Sequence, residues 1–393
     1  MRVLHVAQSV AGGIGAYFEE VARFQNAVFG AENVRFVVPA GSAVHLPSIP
    51  EGQLVSFPRT GRGPLALASF GLTALRAIGE WEPDVVHMHS SFAGGVVRPL
   101  LAIGRHPVRV VYCPHGWAFG METTNLRKFA YAEYERLLAH WTDLIVVNSD
   151  SERRLASQYR IPSGKVRTIK NGVSRRPRCG GERLGSKERR IQLAFIGRHD
   201  RQKGLDILLQ AVEQLEPDHI HLHVVGKGIL EAGRLGKAPI QENVTFHGWL
   251  SRKAIFNLLD RIDAVVMPSR WEAFGLVAIE AMRSGVAVIA SDRGALPEIV
   301  RHGVEGYIFD LDDPQGLRSL LPALDRTELR RMGEAARARF EAEFTAERMN
   351  LQLQGAYERA VTSQSVRKPA WSAPFGAADT HRRKFGAVHQ KPS

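Results

Sequence analysis

One pattern constrains the fold more than any other: short runs that are apolar on both faces alternate with longer segments of helical periodicity through most of the chain. DVVHM, DLIVVN, LHVVG and DAVVMP are such runs. A strand with one wet face alternates polar and apolar residues, so a strand apolar throughout must be covered on both sides, as in a parallel sheet wrapped by crossover helices. Strands are expected at 2–7, 34–38, 53–57, 84–88, 109–112, 143–148 and 166–169, and again at 192–197, 221–225, 243–246, 263–267, 287–290 and 306–309. After 309 only helical patterns follow, at 314–324, 327–342 and 346–362. The fold class is therefore α/β, with a doubly wound sheet built twice.

The length of 393 residues is too great for one compact core and comfortable for two. Both halves open with a strand, a Gly-rich turn and a helix, at 2–29 and at 192–215. The expected organisation is a Rossmann-like domain at 1–172, a basic linker at 173–190, and a second Rossmann-like domain at 191–345. A C-terminal helix at 346–365 returning to the first domain and a basic, disordered tail at 366–393 complete it.

A net charge of +12 invites a nucleic-acid reading, but its distribution argues against one. Residues 173–190 hold seven Lys/Arg against two Glu, and residues 366–393 hold six against one Asp, so each stretch contributes +5 and the rest of the chain only +2. Both are rich in Gly, Pro, Ser and Arg without apolar periodicity, which reads as solvated linker and tail, with an anionic membrane surface as the functional alternative. No nucleic-acid partner is expected. Two cysteines, Cys113 and Cys179, cannot build a disulfide framework, and MRVLHVAQSV opens on a strand-like run rather than a leader. Uncharged runs such as Gly63 to Leu75 fall short of the ~20 residues of a spanning helix. A cytoplasmic location, peripheral at most to the membrane, is the expectation.

Ligands of open α/β sheets bind beyond the carboxyl ends of the strands, so the chemistry should lie in the loops there. In the first half Gly12, Gly13 and Gly15 separate strand one from its helix, leaving N–H groups free to meet phosphate or a polar sugar, although a tight turn alone would use the same residues. In the second half FIGRHDRQKG places Arg198 and Lys203 about a turn that precedes a helix. A guanidinium and an ammonium suit a diphosphate leaving group, on which charge grows as its bond to the sugar breaks. Further on, PSRWEAFGLVAIEAMRSG sets Glu272 in a loop and Glu280 inside the next helix. Two such carboxylates can accept hydrogen bonds from hydroxyls at different points of a nucleotide sugar, while N–H groups near Gly275 meet its phosphates.

These motifs, G-R-x-x-x-x-K-G, then P-S-x-x-E-A-F-G-L-x-x-x-E-A-M, then Gly294, Pro297 and Glu298 in GALPEIV, strongly resemble family four of the retaining glycosyltransferases. PDVVHMH, PHGW, KNGV, VVGKG and FHGWL extend the resemblance over nearly all of residues 1–345. It implies a GT-B fold, two Rossmann-like domains facing a central cleft, with the donor nucleotide on the C-terminal one and the acceptor on the N-terminal one. By the same resemblance Arg198 and Lys203 form the diphosphate-binding pair, Glu280 grips the ribose and Glu272 faces the transferred sugar. His115 lies near the sugar's reacting region and Gly13 at the donor–acceptor junction, with Phe274, Gly275 and Leu276 completing the donor loop.

The implied activity is transfer of a hexosyl group from a nucleotide diphosphate sugar to an acceptor hydroxyl with retention, the departing diphosphate helping to take the acceptor proton. The expected setting is synthesis of a cell-surface polysaccharide (exopolysaccharide, capsule or lipopolysaccharide) on a glycan acceptor carried by a polyprenyl diphosphate. A sugar-nucleotide epimerase of similar fold and a catalytically silent subunit of a glycan-assembly complex are the alternatives, and the intact charged pairs argue against both. No cofactor and no metal site are expected. His87 and His89 share one face of a strand end, but no third ligand is spaced to join them, so neutral structural histidines are expected. Asp310 and Asp312 fall after the last strand, where aspartates serve as caps.

Overall fold

The computed structural model describes residues 1–10, 12–58, 63–104, 107–176, 189–228, 242–313 and 315–362. Most of the basic linker, Cys179 and the basic tail lie outside the described residues. The first seven strands are β1 (Val3–Ala7), β2 (Val34–Pro39), β3 (Leu54–Phe57), β4 (Val85–His89), β5 (Arg109–Cys113), β6 (Leu144–Val147) and β7 (Val166–Thr168). The next six are β8 (Ile191–Ile196), β9 (Ile220–Val225), β10 (Val244–Gly248), β11 (Ala264–Met267), β12 (Ala287–Ser291) and β13 (Gly306–Phe309). Every strand expected from the sequence is present, displaced by a residue or two at its ends.

Between the strands of the first half run α1 (Gly13–Phe29), α2 (Pro64–Trp81), α3 (Ser91–Gly104), α4 (Asn125–Ala139) and α5 (Asp150–Gln158). In the second half they are α6 (Leu205–Val212), α7 (Arg252–Leu259), α8 (Leu276–Arg283), α9 (Leu296–Ile299), α10 (Gly316–Leu320), α11 (Arg326–Glu343) and α12 (Ala346–Thr362).

The strands form two all-parallel sheets, ordered β3-β2-β1-β4-β5-β6-β7 and β10-β9-β8-β11-β12-β13. Each is covered on both faces by helices, which is why the strands are apolar throughout. The order reverses between β1 and β4 in the first sheet and between β8 and β11 in the second. At such a switch point adjacent crossovers leave to opposite faces and open a crevice at the strand C-termini.

The last helix belongs to the first sheet. Met349, Leu353, Ala356 and Tyr357 of α12 are buried in the same core as Val3, Phe18 and Phe36. To get there the chain recrosses beside its first crossing: Val173 N–H donates to Phe344 O and Ala346 N–H to Val173 O, each at 3.0 Å. Gly172 makes this passage feasible, since a Cβ there would stand 2.2 Å from Thr345 O. Arg175 pairs with Glu341 and Glu347, and Arg176 with Asp260. Arg176 is therefore held half-buried on folded surface, whereas Arg175 is paired but remains exposed to solvent as the composition suggested. No helix among the described residues is long and apolar enough to cross a membrane.

Candidate active site at the facing strand ends

The two switch points look toward each other, and loops from both sheets meet. Ser149 Oγ, at the N-terminus of α5, donates to Ala273 O at 2.9 Å, and Asp150 N–H donates to Glu298 Oε2 at 2.9 Å. Arg154 reaches Glu298 Oε1 at 2.6 Å. A Cβ on Gly116 would stand 3.1 Å from Ala273 Cβ, and one on Gly13 would stand 3.4 Å from Leu276 Cδ1. The PHGW and Gly12–Gly13 loops of the first sheet thus abut the EAFGL loop of the second.

Within this junction Lys203 and Glu272 are in direct contact, Nζ donating to Oε2 at 2.5 Å with both side chains largely buried. Arg198 is exposed on the same loop as Lys203 and lies against Asp200 at 3.1 Å and Gln202 at 2.8 Å. Gln202 in turn donates to Trp271 O at 3.1 Å, which ties together the two loops that carry Arg198 and Glu272. Glu272 itself is presented by a tight crossing: Ala295 N–H donates to Glu272 O, and Gly294, at φ 59°, runs so close that a Cβ would fall 1.9 Å from that oxygen. This gives the Gly of GALPEIV a physical requirement.

Gly275 caps α8, directing the N–H groups of its first turn and the positive end of its dipole into the junction. Glu280 lies about 7 Å further along the axis, at five residues of 1.5 Å rise. Burial pushes its carboxyl above the usual range, against the pull of Arg283 and Arg252. Phe274 does not enter the site through its side chain, which is buried in the second core against Phe344, with centroids 6.1 Å apart. Its backbone alone faces the loop.

His115 adopts φ 51°, a left-handed conformation uncommon outside glycine and often kept at functional positions. The loop is fastened from α5, where Glu152 accepts from Trp117 N–H at 3.0 Å and its carbonyl from the Trp117 indole at 3.1 Å. Burial raises the Glu152 carboxyl to about 7, in spite of the bond from Trp117. His115 Nε2 lies 2.9 Å from His89 Nδ1, and burial lowers its pKa to about 4.

The expectation that His87 and His89 lack a third companion is corrected here. His5 of β1 joins them, because β1 lies beside β4 in a register that sets His5 against His87. Sequence spacing cannot reveal a neighbour supplied by another strand. Glu152, Asn148 and Glu298 were likewise not singled out as junction residues, and their signal is that each sits near the carboxyl end of a strand. Asp310 and Asp312 form a local turn, Asp312 N–H donating to Asp310 Oδ1 at 2.8 Å, with Arg293 on Asp312 Oδ1 at 2.6 Å.

Two facing doubly wound sheets with this loop set define a GT-B glycosyltransferase architecture. Solved structures of that architecture superpose on it: sucrose-phosphate synthase from Thermosynechococcus elongatus, TM-score 0.77, 20% identity, 91% of this chain and 99% of that one. The Anabaena protein HepE in complex with UDP-glucose gives a TM-score of 0.75 at 20% identity, over 91% and 99% of the two chains. Residues 182–339 match the family described as glycosyl transferases group 1, and residues 11–176 that described as glycosyltransferase family 4. An uncharacterized 41.2 kDa protein in the cps region of Klebsiella pneumoniae is 32% identical over 324 residues, 80% of this chain and 87% of the relative. The D-inositol 3-phosphate glycosyltransferase of Mycobacterium marinum is 30% identical over 323 residues, 76% and 69% of the two chains. The chain belongs to the group 1 glycosyltransferases.

Proposed function

We propose that this protein is a retaining, metal-independent hexosyltransferase that uses a nucleotide diphosphate sugar and extends a cell-surface polysaccharide from the inner face of the membrane. The observation that carries this reading is the placing of Lys203, Glu272 and the α8 N-terminus together at the β8/β11 switch point. In the proposed reaction Lys203, Arg198 and the first-turn N–H groups of α8 stabilise the charge that grows on the departing diphosphate. Glu280 holds the ribose, and Glu272 and His115 hold the hexose. The C1–oxygen bond to the diphosphate breaks and the acceptor hydroxyl bonds to C1 on the same face. Its proton passes to the leaving diphosphate.

A nucleotide-sugar donor is supported by HepE, solved with UDP and with UDP-glucose. The polysaccharide setting is supported by the Klebsiella relative in the cps region. The acceptor class we propose is a glycan on a polyprenyl diphosphate.

Thermal melting in the presence of UDP-, GDP- and ADP-sugars tests the reading, since a ligand bound only by the native state raises its stability. One donor should raise the melting temperature, and the transferred sugar should keep its anomeric configuration by NMR. No shift with any donor, an inverted product, or conversion of the donor to its epimer without an acceptor would overturn it.

A further inference from the structure

The histidines inside the first sheet bring three ring nitrogens within 4.8 Å of one another, at His5, His87 and His89. Their geometry does not suit a metal. His87 and His89 rings lie 4.0 Å apart by centroid with 41° between planes, so they face each other rather than aim at a common point. His5 Nδ1 and His89 Nε2 are already bonded to each other at 3.0 Å. The rings build a directional chain instead, and its sense is set at the end near the junction.

At the end near the junction, burial raises the Cys113 thiol to about 12, so it stays protonated and donates to Asn148 Oδ1 at 3.4 Å. Asn148 Nδ2, a donor only, then faces His115 Nδ1 at 3.3 Å. With the amide in this orientation His115 Nδ1 is the bare nitrogen. Its Nε2–H accordingly donates to His89 Nδ1 at 2.9 Å, His89 Nε2–H to His5 Nδ1 at 3.0 Å, and His5 Nε2–H to Gln25 Oε1 at 2.9 Å. At the far end the Tyr357 hydroxyl lies 2.6 Å from His87 Nδ1. The chain stops at His87 Nε2, buried without a hydrogen-bond partner. Reversing it would turn the Asn148 and Gln25 amides round and set the Cys113 sulfur, a weaker acceptor than a carbonyl oxygen, against an N–H group, so the sense drawn makes the stronger bond at that end.

We propose that Gln25, His5 and His89 are positioning residues that lock His115 in its Nε2–H tautomer, leaving Nδ1 as a hydrogen-bond acceptor for a hydroxyl of the transferred sugar. The long contact to Asn148 at 3.3 Å leaves that lone pair available to a closer donor. The sugar contact rests on the donor role proposed above for His115, whereas the lock is a property of the protein alone.

Long-range proton–nitrogen NMR correlation on protein labelled with 15N-histidine, without substrate, reads each tautomer directly. His5, His89 and His115 should all carry the proton on Nε2, and a proton on Nδ1 of His115 in the wild type would overturn the lock whatever the variants do. His5→Phe keeps the stacking on Phe36 but removes the acceptor for His89, so His115, one ring further on, should move toward the Nδ1–H form. Gln25→Leu should do the same more weakly. An unchanged His115 signal in both folded variants would refute the relay, and so would failure to fold with a wild type in the opposite tautomer. In kinetics, His5→Phe should raise the donor KM by roughly 3- to 10-fold, the worth of one hydrogen bond, with a smaller change in kcat. A shifted tautomer with an unchanged KM would keep the lock and overturn the sugar contact of His115.

Discussion

Lys203 Nζ and Glu272 Oε2 stand 2.5 Å apart, so the ammonium proposed for the leaving diphosphate is held by the carboxylate proposed for the sugar. With the roles proposed, the pair would couple the two ends of the donor. If Lys203 stabilises charge that develops as the bond breaks, Lys203→Ala should cost on the order of 2–4 kcal/mol in kcat/KM with the fold intact. Steady-state kinetics alongside a melting curve checks this, and near wild-type turnover would remove the assignment.

The two carboxylates should separate in a binding experiment. Glu280→Ala should weaken the nucleoside diphosphate, whose ribose it is proposed to hold. Glu272→Ala should leave that affinity unchanged or tighter, because it releases Lys203 to the phosphates, while damaging sugar transfer. Calorimetric titration of both variants decides the matter, and equal losses would end the division of roles.

Catalysis should need no divalent metal. Clustered carboxylates hold such an ion where an enzyme uses one, and here Asp312 is engaged by Arg293 in a surface turn. Activity should survive excess EDTA, with Asp312→Ala within a few-fold of wild type. Loss in EDTA restored by magnesium or manganese would contradict the proposed site.

The buried histidines should make the fold acid-sensitive. Burial holds His5 and His115 down to about 4, and His87 and His89 well below their ordinary 6.5. As pH falls from 6.5 toward 4 the unfolded chain takes up protons that the native state refuses, so stability should fall through that window. Glu152, raised to about 7, and Glu280, also raised by burial, act in the opposite sense above 4.5, two groups against four. Urea midpoints at pH 5 and pH 7 should differ clearly in favour of pH 7, and equal midpoints would show that these rings are not neutral in the native state.

Truncation after Ser365 should leave transfer to a short soluble acceptor intact and reduce association with anionic liposomes, since residues 366–393 carry a net +5 and no motif. Lost activity would show that the tail serves the fold.

The strands were legible because a strand buried on both faces must be written as a continuous apolar run, and every one was found. Helix ends were less so. The single helix expected at 314–324 is α10 followed by a 3₁₀ turn at Leu321–Ala323, where Pro322 cannot continue the regular bonding. In the site, the charged residues could be picked out as ligands for a nucleotide sugar, but the bond between Lys203 and Glu272 could not, since they lie on separate loops brought together by the order of β8 and β11. His5 was invisible for the same reason, as sheet order rather than spacing makes it a neighbour of His89. Phe274 lies in the expected donor loop while its side chain packs in the core against Phe344, a direction that neighbours in sequence do not indicate.

The placing of α12 has a consequence for how the protein is made. Between the crossing at Val173 and the return at Ala346 the ribosome must add roughly 170 residues, on the order of ten to thirty seconds of synthesis. Throughout that interval β1 to β7 are complete, but the groove that receives Met349, Leu353 and Tyr357 has nothing to fill it. The nascent first half therefore keeps that apolar groove open to solvent until the helix that fills it has been made.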